Sequence, residues 1–156
     1  MLALAIEAAR ADAYADGLQR ELDDIAAGAA TLPRRPNVYF EEWDDPLISG
    51  IRWVSELVGI AGGDDVFPER ALEPLARQRI LADPAEVVRR APDIILGSWC
   101  GKKFRPEKVA ARPGWEAIPA VRDGERHEIK SPLILHPCPA ALTDGIVRLL
   151  KADKVD

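Results

Sequence analysis

At the start of the chain, apolar positions recur at intervals of three and four residues. These positions are Leu4, Ala8, Ala11, Ala15, Leu18, Leu22 and Ile25. The interval is that of an α-helix with one apolar face, so a helix is predicted from Leu2 to about Ala30. At about 1.5 Å per residue such a helix spans roughly 40 Å, which is longer than a compact domain of this size needs. The prolines of "LPRRP" (32–36) end it.

After the long first helix, the sequence predicts shorter elements. In "NVYFEE", the residues Val38, Tyr39 and Phe40 favour a strand, and "DDPLISG" after it predicts a turn. The stretch "ISGIRWVSELVGIAGG" has a helical period and ends in two glycines, so it predicts an amphipathic helix. The segment 64–83 has no sustained period and predicts irregular structure with a short helical turn.

The remaining segments alternate between helix and strand signals. "DPAEVVRRAP" begins with Asp83 as a helix cap and a proline at the first helical position. "DIILGSW" is a short apolar run typical of a buried parallel strand. "RPEKVAARPGW" predicts a short helix, and "AIPAVRDGERHEIK" predicts two short strands around the turn signal at Asp123 and Gly124. "CPAALTDGIVRLLKAD" predicts the last helix.

Strands that alternate with helices indicate an α/β fold, here a three-layer sandwich with a mostly parallel sheet. We divide the chain into a long helix at 1–32 and a single α/β lobe at 33–156. In sheets of this kind, ligands bind beyond the carboxyl ends of the strands. The residues that follow the two most apolar strands are therefore the first candidates for a site.

Composition and charge narrow the class of protein. The chain has 156 residues, 47% of them hydrophobic, which suits one globular domain with a sizeable core. A net charge of −5 without a dense basic run argues against nucleic-acid binding. Cys100 and Cys138 form no C-x-x-C motif, and the two histidines lack i, i+4 spacing, so no metal site is predicted.

Signals for other classes are also missing from the sequence. The sequence contains no run of about 18 apolar residues, which is the length needed to cross a membrane. The amino terminus lacks the basic region of a signal peptide. Glycine-rich nucleotide motifs, G-x-S-x-G and H-E-x-x-H do not occur. We therefore expect a protein that is not an enzyme, while a hydrolase or transferase on a flavodoxin-like layout remains the alternative.

Two groups of candidate ligand-binding residues follow the predicted strands. Each contains one tryptophan, and the groups are Glu41, Glu42 and Trp43 after the first strand, and Ser98, Trp99 and Cys100 after the second. The tryptophan rings offer flat apolar faces for stacking, and the acids offer hydrogen-bond acceptors. The alternatives are a solvated acidic rim for the first group and ordinary core packing for the second.

Lys102 is a further candidate, in the only local basic cluster, "GKKFRPEK". A lysine beside a strand end can bind a phosphate group of a ligand. The alternative is a solvated charged loop that Lys102 shares with Lys103 and Arg105.

The motifs as a set resemble one known family. The stretches that carry the resemblance are "RPNVYFEEWDDPLISGIRWVSELVGIAGGDDVF", "DPAEVVRRAPDIILGSWCGKKFRPEKV" and "IKSPLILHPCPAALTDGIVRLL". They resemble the carboxyl-terminal lobe of cobalamin-binding proteins, which are substrate-binding proteins of bacterial ABC importers for vitamin B12 and ferric siderophores. The resemblance covers nearly the whole chain from Pro33 onward, and the first helix resembles the helix that joins the two lobes in this family.

The resemblance implies a function and its partners. It implies a periplasmic or lipid-anchored protein that holds a corrinoid between two lobes, with cobalamin as the transported ligand and no resident cofactor, metal or catalysis. It also implies a membrane permease partner, for which Glu86 in "DPAEVV" is the matching acidic residue.

The specific ligand and the state of the lobe have alternatives. Acids at the first strand end would be poor partners for an anionic siderophore, so they favour cobalamin over a siderophore. A cobalamin precursor and a haem-like ring stay open as alternatives. The family's amino-terminal lobe and signal peptide have no counterpart in this sequence. A lone lobe would expose its aromatic cleft face, so a homodimer without a ligand is a further possibility.

Overall fold

The computed structural model of the chain describes residues 2–136 and 138–146. The first helix, α1, runs from Leu2 to Ala29, which confirms the predicted helix. Its second half meets the rest of the domain, where Leu22 and Ile25 pack against the core. Residues 7–16 are exposed, so the helix does not lie against the domain along its whole length.

Short strands and helices follow α1 in the described part of the chain. Their bounds are β1 Asn37–Asp44, β2 Leu47–Ser49, α2 Arg52–Ile60, β3 Asp64–Asp65, α3 Pro68–Ala71, α4 Ala85–Arg90, β4 Ile94–Gly97, α5 Pro106–Ala110, α6 Pro119–Arg122, β5 Arg126–Glu128 and α7 Ser131–Ile134. Two 3-10 turns lie at Ala76–Gln78 and Trp115–Ala117, and a π-helical turn lies at Ala141–Gly145.

The strands form one mostly parallel sheet in the order β2-β1-β4-β5, with β3 also paired to β1. The pairs β1–β4, β4–β5 and β1–β3 are parallel, and only β2 is antiparallel to β1. The predicted α/β fold with a mostly parallel sheet is confirmed. Because β1, β4 and β5 run in the same direction, their carboxyl ends open on the same edge of the sheet.

Alternate residues of the central strands enter two separate cores. On one face, Val38, Phe40 and Leu96 pack with the buried side of α2. On the other face, Tyr39 and Ile95 pack in a cluster that also holds four large rings, Phe67, Trp99, Phe104 and Trp115. This two-residue alternation is the geometry of a strand buried on both faces, and it explains why the strands read as continuous apolar runs.

Two predictions of local structure are wrong. The predicted turn "DDPLISG" contains a strand, β2, which forms a hairpin with β1 after a cis Asp45–Pro46 peptide bond. The first of the two strands predicted in "AIPAVRDGERHEIK" is the helix α6. Its proline, Pro119, has no N–H to donate to a neighbouring strand but suits the first turn of a helix. The proline therefore favours a helix over a strand at this position.

Other local predictions hold in part. Asp83 accepts a hydrogen bond from the backbone N–H of Ala85 at 3.0 Å, but the N-cap position of α4 is Pro84, one residue later than predicted. The segment 64–83 contains β3, α3 and a 3-10 turn, so it is less irregular than expected. The last predicted helix starts as the π-helical turn, and its part beyond residue 146 lies outside the described residues.

Candidate functional site

A cavity opens where the loops leave the carboxyl ends of β4 and β5. Its volume is about 500 Å³, which is enough for part of a small-molecule ligand. Its lining residues come from these two loops and are Trp99, Gly101, Lys102, Lys103, Glu128, Ile129, Lys130, Ser131 and Pro132. The cavity therefore lies at the sheet edge where ligands bind in parallel α/β sheets.

Glu41 lies beneath this cavity rather than on its surface. Its carboxylate is fully buried and accepts two hydrogen bonds from the Arg112 guanidinium, at 2.6 Å and 2.9 Å. A third hydrogen bond comes from the indole N–H of Trp99, at 3.0 Å. In this structure the expected direct contact between Glu41 and a ligand is not available, because both carboxylate oxygens are paired and shielded. Glu41 instead holds Trp99 in place.

Glu42 is also paired within the protein. Its Oε2 lies 2.5 Å from Nη1 of Arg79, whose side chain is only 2% exposed. The same nitrogen donates to the carbonyl oxygen of Ser49 at 2.6 Å. Glu42 therefore fastens the β1–β2 hairpin to the segment that carries Arg79.

Asp44 joins two lysines from the loop and helix after β4. Its side chain is fully buried, with Nζ of Lys108 at 2.7 Å and Nζ of Lys102 also in ion-pair contact. Burial by itself raises the pKa of Asp44, but the hydrogen bonds and positive charges of the two lysines outweigh this effect and lower the pKa below its usual value.

Lys102 links the two tryptophans that the sequence placed at strand ends. Its Nζ lies 4.2 Å from the ring centroid of Trp43 and 5.1 Å from that of Trp99. These distances are in the range of cation–π contacts. The structure therefore brings both rings to the same edge, but a lysine lies between them. Of the two, Trp99 lines the cavity and Trp43 does not, so they do not form the expected shared wall.

Trp99 lines the cavity with only a small part of its surface. The residue is 4% exposed, and its ring packs edge-on against Phe104 with centroids 5.0 Å apart. Gly97 permits this packing, because a Cβ at that position would overlap the Phe104 ring. Most of the Trp99 ring is thus covered by protein, and Trp43, which is half-buried, has the more accessible ring.

The two neighbours of Trp99 differ in exposure. Ser98 is 1% exposed and lies off the cavity surface. Cys100 is exposed but does not line the cavity. Cys100 and Cys138 are both free thiols in this structure, so the two do not form a disulfide here.

Glu86 belongs to a separate cluster of charges around α4. It pairs with Arg90 at 3.0 Å and with Arg70 at 3.8 Å, and its side chain is 23% exposed. Arg90 also pairs with Glu69. Glu86 does not line the cavity, and its role in contacting a permease stays a prediction.

Local sequence reasoning missed several residues of the site. Arg112 and Lys108 follow no strand directly, and no nearby motif marks them as partners of the β1 acids. Lys130 does follow a strand end, since β5 ends at Glu128. The strand-end rule would have selected Lys130 as a candidate if it had been applied to β5.

The described residues carry neither a metal site nor a membrane span. Within residues 2–136 and 138–146, no group of three or more histidine, cysteine or carboxylate side chains is placed to hold a metal ion. No helix in the same ranges combines the length and the apolar character needed to cross a bilayer.

In parallel α/β sheets, ligands bind beyond the carboxyl ends of the strands, which is where this cavity lies. A family model described as periplasmic binding protein matches residues 4–133. This match spans most of the chain, so the chain belongs to the periplasmic binding protein family.

Solved structures of this kind share the fold. S. aureus IsdE complexed with heme is 21% identical, with a TM-score of 0.74 over 94% of this chain and 58% of its own. The heme-binding RhuT from Roseiflexus sp. RS-1 is 21% identical, with a TM-score of 0.69 over 93% of this chain and 57% of its own. The vitamin B12 binding protein BtuF of Vibrio cholerae is 18% identical, with a TM-score of 0.62 over 88% of this chain and 52% of its own.

The family resemblance stated from the sequence is thus confirmed. The chain spans about half the length of these structures. A search of curated proteins finds no match.

Proposed function

We propose that the chain forms one lobe of the ligand cleft in a substrate-binding protein that delivers a metal chelate to an ABC importer. The cavity at the carboxyl ends of β4 and β5 carries this proposal, because it joins a tryptophan edge and cationic side chains at the binding edge of the family fold. The protein acts in the periplasm, binds without catalysis, and meets a membrane permease through the surface around Glu86.

Cobalamin or a related corrinoid is the first ligand candidate from the sequence, with contacts at Trp43, Trp99 and Lys102. The structure removes one reason for preferring it. The acids at the end of β1 are each paired with a cation, so they present little free negative charge to a ligand. Haem and ferric siderophores are therefore equal candidates, and similar folds bind vitamin B12 or heme.

A titration of this chain with cobalamin, haemin and ferric siderophores tests the proposal. Saturable quenching of tryptophan fluorescence, corrected for absorbance of the ligand, is the expected result for at least one ligand. Trp99→Ala should weaken the binding directly, because Trp99 lines the cavity. Trp43→Ala should weaken it through Lys102, whose ammonium group lies over the Trp43 ring. Trp53→Phe is the matched control, because the indole of Trp53 donates to the carbonyl of Ile134 and the residue does not line the cavity.

The same titration on a protein with both lobes distinguishes a lobe that cannot bind alone from a proposal that is wrong. If this chain does not bind but the two-lobed protein does, the missing contacts lie in the other lobe, and the proposal for the whole protein stands. If neither binds any of these chelates, the proposal is wrong.

A further inference from the structure

We propose that Lys102, Lys103 and Lys130 form an anion subsite in the cavity, and that it takes a carboxylate, catecholate or phosphate group of the ligand. This inference rests on the proposed function, since it assigns the charge class of the chelate. It also reverses the preference drawn from the sequence, where the acids near Trp43 disfavoured an anionic ligand.

The charge of the cavity is opposite to the charge of the chain. The whole sequence has a net charge of −5, whereas the charged residues that line the cavity are three lysines and one glutamate. The glutamate, Glu128, accepts a hydrogen bond from the backbone N–H of Phe104 at 3.1 Å, so one of its carboxylate oxygens is already bound within the protein. The lining therefore carries a net positive charge that can attract an anion.

The pairing of Lys102 does not cancel this positive charge. Lys102 shares Asp44 with Lys108, so two cations face one carboxylate. The Asp44 side chain is fully buried, while that of Lys102 is 38% exposed and lines the cavity, so a ligand there meets Lys102 and not the carboxylate. Asp44 and the ring of Trp43 thus hold Lys102 at the cavity wall. Together with Lys108, the three charged groups carry one net positive charge.

The lysines approach from two strand ends and meet at one concave surface. Lys102 and Lys103 lie in the loop after β4, and Lys130 follows β5. These loops are held together where the N–H of Ile129 donates to the carbonyl of Gly97 at 3.0 Å. Lysines that converge on a cavity can share one anionic group, which lysines spread over an open surface cannot do. Ammonium groups bind such anions as point charges.

Two ferric chelates of similar size but different charge test the subsite. One is a trianionic tris-catecholate and the other is a neutral tris-hydroxamate, so metal and coordination number are the same. We expect this chain to bind the trianionic chelate more tightly, and we expect the difference to shrink as salt is added.

Variants locate the effect. Lys103→Gln and Lys130→Gln should each weaken binding of the trianionic chelate by about two- to fivefold, the range of an exposed ion pair, with little effect on the neutral one. Arg105→Gln is the matched control. It removes one positive charge from the same loop at an exposed position that does not line the cavity, so it should change neither affinity.

A simple anion separates the subsite from the proposed function. Inorganic pyrophosphate should shift the indole N–H resonances of Trp99 and Trp43 and leave those of Trp53 and Trp115 unchanged. If both chelates bind with equal affinity and pyrophosphate has no effect, the subsite is refuted and the proposed function stands. If pyrophosphate binds in a lysine-dependent way but neither this chain nor the two-lobed protein binds cobalamin, haemin or a ferric chelate, the proposed function fails and the subsite stands. If pyrophosphate does not bind, and neither this chain nor the two-lobed protein binds cobalamin, haemin or a ferric chelate, both are wrong.

Discussion

The buried ion pair between Glu41 and Arg112 gives a sharp test of how the site is held. Arg112→Met removes the guanidinium but keeps an apolar side chain of similar length. The Glu41 carboxylate is fully buried and would keep only the hydrogen bond from Trp99. Removal of one partner from a buried ion pair costs about 3–5 kcal/mol, because a charge is left without compensation.

This loss is large compared with the total stability of a domain, which is about 5–15 kcal/mol. The guanidinium of Arg112 also lies 4.4 Å from the ring centroid of Trp115. Loss of that contact adds about 0.5–1 kcal/mol. We therefore expect Arg112→Met to shift the urea unfolding midpoint strongly, measured by far-ultraviolet circular dichroism so that changes in tryptophan emission do not interfere.

A double-mutant cycle separates the charge from the packing. In Glu41→Gln/Arg112→Met the charge is gone, and the glutamine oxygen can still accept from Trp99. The double variant should therefore be more stable than Arg112→Met alone. Arg122→Met, at a 64% exposed side chain paired with its neighbour Asp123, should change stability by less than about 0.5 kcal/mol. The reasoning is refuted if Arg112→Met resembles Arg122→Met, or if the Glu41 and Arg112 effects simply add.

Two further predictions concern the same sheet edge. Gly97→Ala should lower stability by about 1–3 kcal/mol, because the added Cβ would overlap Phe104. Gly59→Ala is the control, since Gly59 lies in a helix with open space around it, and it should raise stability by up to about 1 kcal/mol. Equal effects of the two substitutions would contradict the packing argument. Because the folded pKa of Asp44 lies below its unfolded value of about 3.9, its stabilisation is present above that pH and is lost as the pH falls through the folded pKa. Asp44→Asn should therefore flatten the pH dependence of the unfolding free energy below about pH 4, and unchanged slopes would exclude this role.

Local patterns in the sequence were enough for the layered fold. The three- and four-residue spacing gave α1, and the apolar runs around Phe40 and Ile95 gave the two central strands, because each depends only on neighbouring residues. The weak elements were not predictable in this way. β2 has three residues and α6 has four, so tertiary contacts outweigh their intrinsic preference.

The sequence by itself determined that charged and aromatic residues lie at the ends of the strands, and it predicted a site at the carboxyl edge of the sheet. Only the tertiary structure decided which charged side chains are paired within the protein and which are left to contact a ligand. Glu41 pairs with an arginine 71 positions away, Asp44 with a lysine 64 positions away, and Glu42 with an arginine 37 positions away. These partners meet because the loops beside the sheet fold back onto the end of β1, which local spacing does not encode. The three acids of β1 are neutralised inside the protein for this reason, and the charged residues that line the cavity are three lysines and Glu128.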